Sequence, residues 1–149
     1  MRKVEASIII KTKPEVIINA FTELEMLNNW WGVERVLIDK KIGGVYILAW
    51  NIGDQSIGFV TAGKIKEYRY GELLVIDNLV NLNPEKPFFG PMLLTIETKT
   101  LENDLTELNL CQDGYQYGKD WDWYYRAVKK AWPKVLLSLK NYIEDNNQF

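Results

Sequence analysis

Lys119-Asp120-Trp121-Asp122-Trp123-Tyr124-Tyr125-Arg126-Ala127-Val128-Lys129-Lys130-Ala131-Trp132-Pro133-Lys134-Val135-Leu136-Leu137-Ser138-Leu139-Lys140-Asn141-Tyr142-Ile143 is the stretch that decides the architecture. From about Lys119 to Phe149 the chain reads as one long helix. Trp121, Tyr125, Val128, Trp132, Val135, Leu139 and Tyr142 recur at alternating steps of four and three residues, which is one face of a helix. A face this aromatic needs a large, curved apolar surface to lie against, and a sheet supplies one. Pro133 sits off that seam. A proline in a helix interior removes a hydrogen bond and costs about 3 kcal/mol, so the seam predicts a bend between Lys129 and Pro133, with two abutting helices as the alternative.

Working back from the helix, the hydrophobic period changes. Arg35 to Asp39, Val45 to Ile52, Ile57 to Lys66, Leu73 to Val80, Met92 to Leu101 and Leu105 to Cys111 read as strands. Lys40-Lys41-Ile42-Gly43-Gly44, Gly53-Asp54-Gln55-Ser56, Tyr70-Gly71 and Glu102-Asn103-Asp104 separate them as turns. Connections this short make antiparallel neighbours, because a parallel crossover needs a dozen residues or more. Asn81 to Pro91, with Pro84, Pro87 and Pro91, is expected to be irregular. At the other end, Val4 to Lys11 reads as a strand and Pro14 suits the first position of a helix carrying Val16, Ile17, Ala20 and Phe21. Thr22 and Glu25 resemble a capping box for a second short helix ending near Asn28-Asn29. The order is β, α, α, six strands, α: an α+β chain.

The 149 residues are expected to form one domain, 1–149, and are 47% hydrophobic and 26% charged, an ordinary globular composition. A net charge of −2 argues against nucleic acid or an anionic membrane as partner. No apolar run approaches the roughly 20 residues of a membrane span, and Ser7-Ile8-Ile9-Ile10 is too short for a signal-peptide core. The expected location is the cytoplasm. Cys111 is the single cysteine, so no internal disulfide forms. Histidine is absent altogether, which excludes Ser-His and Cys-His nucleophiles, histidine bases and the usual zinc or non-haem iron sites. Neither a metal nor a cofactor is expected.

Several short motifs along the chain resemble one family. They are Pro14-Glu15-Val16 through Phe21-Thr22 to Trp30-Trp31-Gly32, Gly43-Gly44-Val45-Tyr46, Gly63-Lys64-Ile65 with Gly71-Glu72-Leu73-Leu74, and Asn103-Asp104-Leu105-Thr106-Glu107-Leu108. Ala131-Trp132 followed by Leu136, Leu139 and Ile143 closes the series, with Ala131 where a glycine is more usual. Their order and spacing are similar to the START-like superfamily, nearest to the family named after the activator of the heat-shock protein 90 ATPase. The resemblance implies a helix-grip fold, in which about seven antiparallel strands curve around the C-terminal helix with a cavity between them. Activity is less constrained, since superfamily members include lipid and hormone carriers, cyclases and chaperone activators.

On that architecture the candidate cavity residues are Trp31, Tyr46, Trp50, Phe59, Met92, Leu94, Trp121, Tyr125 and Val128. Tyr46, Leu48 and Trp50 alternate along one strand, as do Ile57, Phe59 and Thr61, and Met92, Leu94 and Ile96, so each set shares a face. If the Trp30-Trp31 helix is a lid, one indole points inward and the other packs on the surface. Two arrangements satisfy this pattern: a pocket for a small hydrophobic or aromatic molecule, and a fully packed core. Catalytic residues are not identified. Asp77, Glu97, Glu107 and Arg35 are expected on outer faces, and Cys111 in the core. Trp123, opposite the seam, either marks a protein-partner surface or packs on the loop around Phe88-Phe89. Three functions follow in order: a ligand-binding domain, a chaperone-activator-like interaction module, and a cyclase- or dehydratase-type enzyme.

Overall fold

The computed structural model describes residues 2–53, 57–146 and 148–149. It opens with strand β1 (Lys3–Lys11), followed by helices α1 (Pro14–Ala20) and α2 (Leu24–Trp31). Strands β2 (Arg35–Ile38), β3 (Val45–Ile52), β4 (Ile57–Arg69), β5 (Leu73–Asn83), β6 (Lys86–Thr100) and β7 (Leu105–Asp113) come next, and α3 (Lys119–Glu144) closes the chain. All seven strands form one antiparallel sheet in the order β1-β7-β6-β5-β4-β3-β2. The sheet curves around α3 in the helix-grip arrangement expected from the sequence.

Local chemistry explains most of the boundaries. Pro14 starts α1, where its missing N–H has no partner to lose. Gly32 ends α2 at φ 73°, a left-handed C-cap that costs glycine little. Asn103 and Asp104, both at φ 61°, make the two-residue turn between β6 and β7, in the mirror-image geometry that matches the twist of hairpin strands. Of the turn expected at Gly53-Asp54-Gln55-Ser56, residues 54–56 lie outside the described residues.

Two expectations need correction. No side chain caps α2; its N-cap is Glu23, and buried Thr22 instead turns its Oγ1 back to the carbonyls of Ile18 and Asn19, both at 3.4 Å. The capping-box spacing was overridden because Thr22 closes the turn after α1. Asn81 to Pro91 is not an irregular stretch: β5 continues to Asn83, turns, and β6 begins at Lys86. Its prolines fit because the pairing is broken by register shifts, and a bulge tolerates a residue without a ladder N–H. The single helix expected across Pro133 is present: α3 is continuous from Lys119 to Glu144 with its buried face uninterrupted, which excludes the alternative of two abutting helices.

The core lies between the inner face of the sheet and one side of α3, where Trp132, Leu136, Leu139 and Ile143 are buried. β7 presents Thr106, Leu108, Leu110 and Gln112 to it in strict alternation. The exposed edge of β1 is covered by the end of α3. Lys140 Nζ donates to Ile9 O at 2.7 Å, and Glu144 Oε2 accepts from Lys11 N at 2.9 Å, so an otherwise unpaired strand edge is satisfied. No helix among the described residues is long and apolar enough to cross a membrane.

Candidate functional site

Between the inner face of the sheet and the stretch of α3 from Tyr124 to Val135 lies a recess of about 570 Å³. β3 supplies Tyr46, Leu48 and Trp50, and β4 supplies Phe59 and Thr61. Leu79 and Asn81 come from β5, Leu94 from β6 and Gln112 from β7. Tyr124, Val128, Ala131, Trp132 and Val135 of α3 form the other wall, and Phe21 and Trp31 close the side. Phe59 and Asn51 are exposed at its rim.

A sheet bulge determines which β5 side chains face the recess. Leu74 and Ile76 point to the core, and simple alternation would send Leu79 and Asn81 outward. A register shift between Ile76 and Leu79, with Asn78 at φ 49°, reverses the parity and turns both inward. Gly63 on β4 accommodates this approach, since a Cβ there would lie 2.6 Å from Ile76 Cγ2.

Aromatic rings make the apolar wall. Trp31 meets Trp50 edge-on at 5.1 Å and Trp132 at 5.6 Å between ring centroids. Trp30 and Trp31 are stacked at 5.0 Å, so neither indole packs alone on the surface. Trp30 is buried, its N–H donating to Ala20 O at 2.9 Å, while Trp31 is half-buried and lines the recess. Tyr46 O–H donates to Phe21 O at 2.5 Å, and Trp50 N–H to Trp31 O at 3.1 Å; the two bonds tie the helical lid to β3.

A chain of polar side chains crosses the recess. Trp132 Nε1 donates to Gln112 Oε1 at 2.9 Å, and Gln112 Nε2 donates to Tyr124 Oη at 3.2 Å and to Met92 Sδ at 3.5 Å. Asn81 Nδ2 donates to the same Tyr124 oxygen, and Asn81 Oδ1 accepts from Thr61 Oγ1 at 2.6 Å. Burial pushes the Tyr124 phenol up to about 12, opposed by its bonds from Gln112 and Asn81, so it stays protonated. Tyr46 is pushed up by burial too, which favours the neutral phenol.

Trp31, Tyr46, Trp50, Phe59, Leu94 and Val128 are brought together around the recess, and Met92, Trp121 and Tyr125 are not. Met92 lies beneath Gln112. Trp121 packs edge-on against Phe89 and Tyr124, and Tyr125 against Tyr115. Arg2 lies 4.9 Å over the Tyr125 ring and bonds Asp122 at 2.7 Å, drawing that side of α3 away from the recess. Tyr124, Asn81 and Gln112 escaped sequence reasoning. Gln112 alone had a legible signal, as the next inward position after Leu108 and Leu110.

Other candidate residues lie elsewhere. Arg35 and Glu97 are exposed, and Asp77 and Glu107 half-buried, none lining the recess. Cys111 is not in the core: between inward Leu110 and Gln112 it is half-buried on the opposite face, its thiol pushed up chiefly by burial. Trp123 remains 40% exposed, packed on the β5–β6 hairpin, with Phe89 at 6.3 Å and Lys86 Nζ 4.6 Å over its ring.

Comparison with known proteins places this geometry in context. The family model for activator of Hsp90 ATPase homolog 1-like proteins matches residues 11–144. Comparison with curated proteins finds no match. Solved structures similar in fold include the Aha1 dimer of Colwellia psychrerythraea, at 16% identity and a TM-score of 0.70, covering 95% of each chain. A protein from Mesorhizobium loti aligns at 18% identity and a TM-score of 0.75, over 98% of this chain and 99% of that one. An Hsp90 activator from Plasmodium falciparum aligns at 19% identity and a TM-score of 0.68, over 97% of both. At these identities the likeness shows the fold alone.

Proposed function

The chain belongs to the family of activator of Hsp90 ATPase homolog 1-like proteins, and from that premise we propose that it is a single cytoplasmic domain that holds a small hydrophobic or aromatic molecule between its sheet and α3. The observation that carries this is the recess of about 570 Å³, walled by Trp31, Trp50, Phe59, Leu94, Val128 and Trp132. That size falls within the roughly 300–1,000 Å³ of small-molecule sites, and aromatic walls with a few polar groups are their usual lining. Trp31 and Trp50 report directly on occupancy, because a ligand there changes the surroundings of both indoles.

A screen of lipids, sterols, flavonoids and polyketides tests the proposal by melting temperature and tryptophan fluorescence. A ligand at a hundred times its dissociation constant adds about 2.7 kcal/mol, a rise of roughly 5–10 °C for a chain this long. A screen in which neither signal moves would reject it.

A second reading is a chaperone-activator-like interaction module. Its support is the exposed apolar side chains that line one groove where β4 and the β5–β6 hairpin meet α3, Trp123 at 40%, Phe59 at 44% and Leu82 at 45%. ATP hydrolysis by purified Hsp90, measured with this chain and with its Trp123→Ala variant, tests it. Stimulation lost in the variant supports the surface; no stimulation by either rejects it.

A further inference from the structure

The side chains around the recess constrain the chemistry of what enters it. Among the described residues, none that line it is charged. An ion entering would lose its hydration with no opposite charge to meet, which weakens binding by at least about a hundredfold relative to a neutral molecule of the same shape.

The hydrogen bonds within the recess identify where a polar group would sit. An indole N–H only donates, so Trp132 orients Gln112 with its carbonyl toward the indole and its NH₂ toward Tyr124. Asn81, accepting from Thr61, likewise turns its NH₂ to Tyr124. The Tyr124 oxygen therefore accepts two N–H bonds, and its own hydroxyl hydrogen meets no acceptor among the described residues. Three other inward donors are engaged: Tyr46 with Phe21 O, Trp50 with Trp31 O and Trp132 with Gln112. The N–H of half-buried Trp31 makes no bond to the described residues, and it is not among the buried unpartnered atoms, so water can reach it. Asn51, at the exposed rim, has water available. Two donated bonds also polarise a phenol into a stronger donor, and burial keeps it protonated at physiological pH.

We infer that the ligand of this recess is an uncharged apolar molecule bearing one hydrogen-bond acceptor, a carbonyl or ether oxygen, seated on the Tyr124 hydroxyl with its apolar body against Trp31, Trp50 and Trp132. This deepens the ligand-binding reading and rests on it. A free fatty acid or an organic cation is the wrong chemistry for the site; a neutral ketone, ester or lactone is the right one.

Three probes on one skeleton test it: 2-acetylnaphthalene, 2-ethylnaphthalene and 2-naphthoate, titrated by calorimetry and tryptophan fluorescence into wild type and Tyr124→Phe. The ketone should bind wild type about tenfold more tightly than the hydrocarbon, the effect of one neutral hydrogen bond. Tyr124→Phe should abolish that preference while retaining the hydrocarbon, and naphthoate should bind most weakly. Equal binding of ketone and hydrocarbon to wild type would overturn the inference and leave the ligand-binding reading standing. Tightest binding by naphthoate would overturn the uncharged class. Absence of binding by all three would remove both readings. The ketone–hydrocarbon comparison lies within the wild-type protein, so it decides the matter even if Tyr124→Phe fails to fold.

Discussion

The indole N–H of Trp132 on α3 donates to Oε1 of Gln112 on β7 at 2.9 Å, and both residues are buried. This bond sets the rotation of the helix against the sheet and leaves the Gln112 amide protons for Tyr124 and Met92. Gln112→Leu keeps the volume but strands the Trp132 N–H. It should cost about 1–3 kcal/mol in urea unfolding. Gln112→Glu should cost more at neutral pH and recover as pH falls, because a carboxyl buried here is stable only when protonated. Equal stability of the two variants across pH 4–8, a window chosen around the carboxylate range, would contradict this role.

The neighbouring indoles of α2 should separate stability from binding. Trp30 is 7% exposed and bonded to Ala20 O, whereas Trp31 is half-buried on the recess. Trp30→Ala is expected to lose about 3–5 kcal/mol, in the range for large buried aromatics. Trp31→Ala should lose less in denaturant yet weaken any recess ligand more.

Alkaline pH should destabilise the fold through its buried phenols. Tyr46, Tyr115 and Tyr124 all have folded values above the usual 10.0, with burial the first cause in each and neighbouring Tyr124 and Tyr125 adding to the shift at Tyr115. A raised folded value means that the native state holds its proton longer than the unfolded chain does. Their contribution is therefore intact below pH 10 and is lost as pH rises, through about 12 for Tyr124. Phenolate absorbance followed beside circular dichroism checks this: Tyr124→Phe should move the alkaline unfolding midpoint upward if its other contacts are retained.

The N-terminal arm should hold the start of α3. Arg2 bonds Asp122 and the Gln116 carbonyl and lies 4.2 Å over the Tyr117 ring. Arg2→Ala should cost about 1 kcal/mol, most of it cation–π contact and a partly screened ion pair. Amide hydrogen exchange should rise in the first turns of α3 and stay unchanged near Leu139. Uniform change along the helix would argue against a local clamp.

Much of this molecule is legible in one dimension because its signals are periodic. The four-three seam of α3, the alternation of Tyr46, Leu48 and Trp50, and short turns such as Asn103-Asp104 depend on neighbours along the chain, so sequence alone was enough to specify a sheet gripping a helix. The α3 seam even kept its phase through Pro133. Trp31, Tyr46, Trp50, Phe59, Leu94 and Val128 could be placed together for the same reason.

The polar line of the recess was decided only in three dimensions. Asn81 faces inward because a bulge beside Asn78 reverses the parity of β5, and a bulge is a property of strand pairing with β6. Tyr124 replaces Tyr125 at the recess because Arg2 and Tyr115, remote in sequence, hold Tyr125 on another side of the helix. Adjacent helix positions differ by about 100°, so such contacts determine which phenol meets a ligand. Sequence by itself determined the grip. Register and helix rotation determined what it can hold.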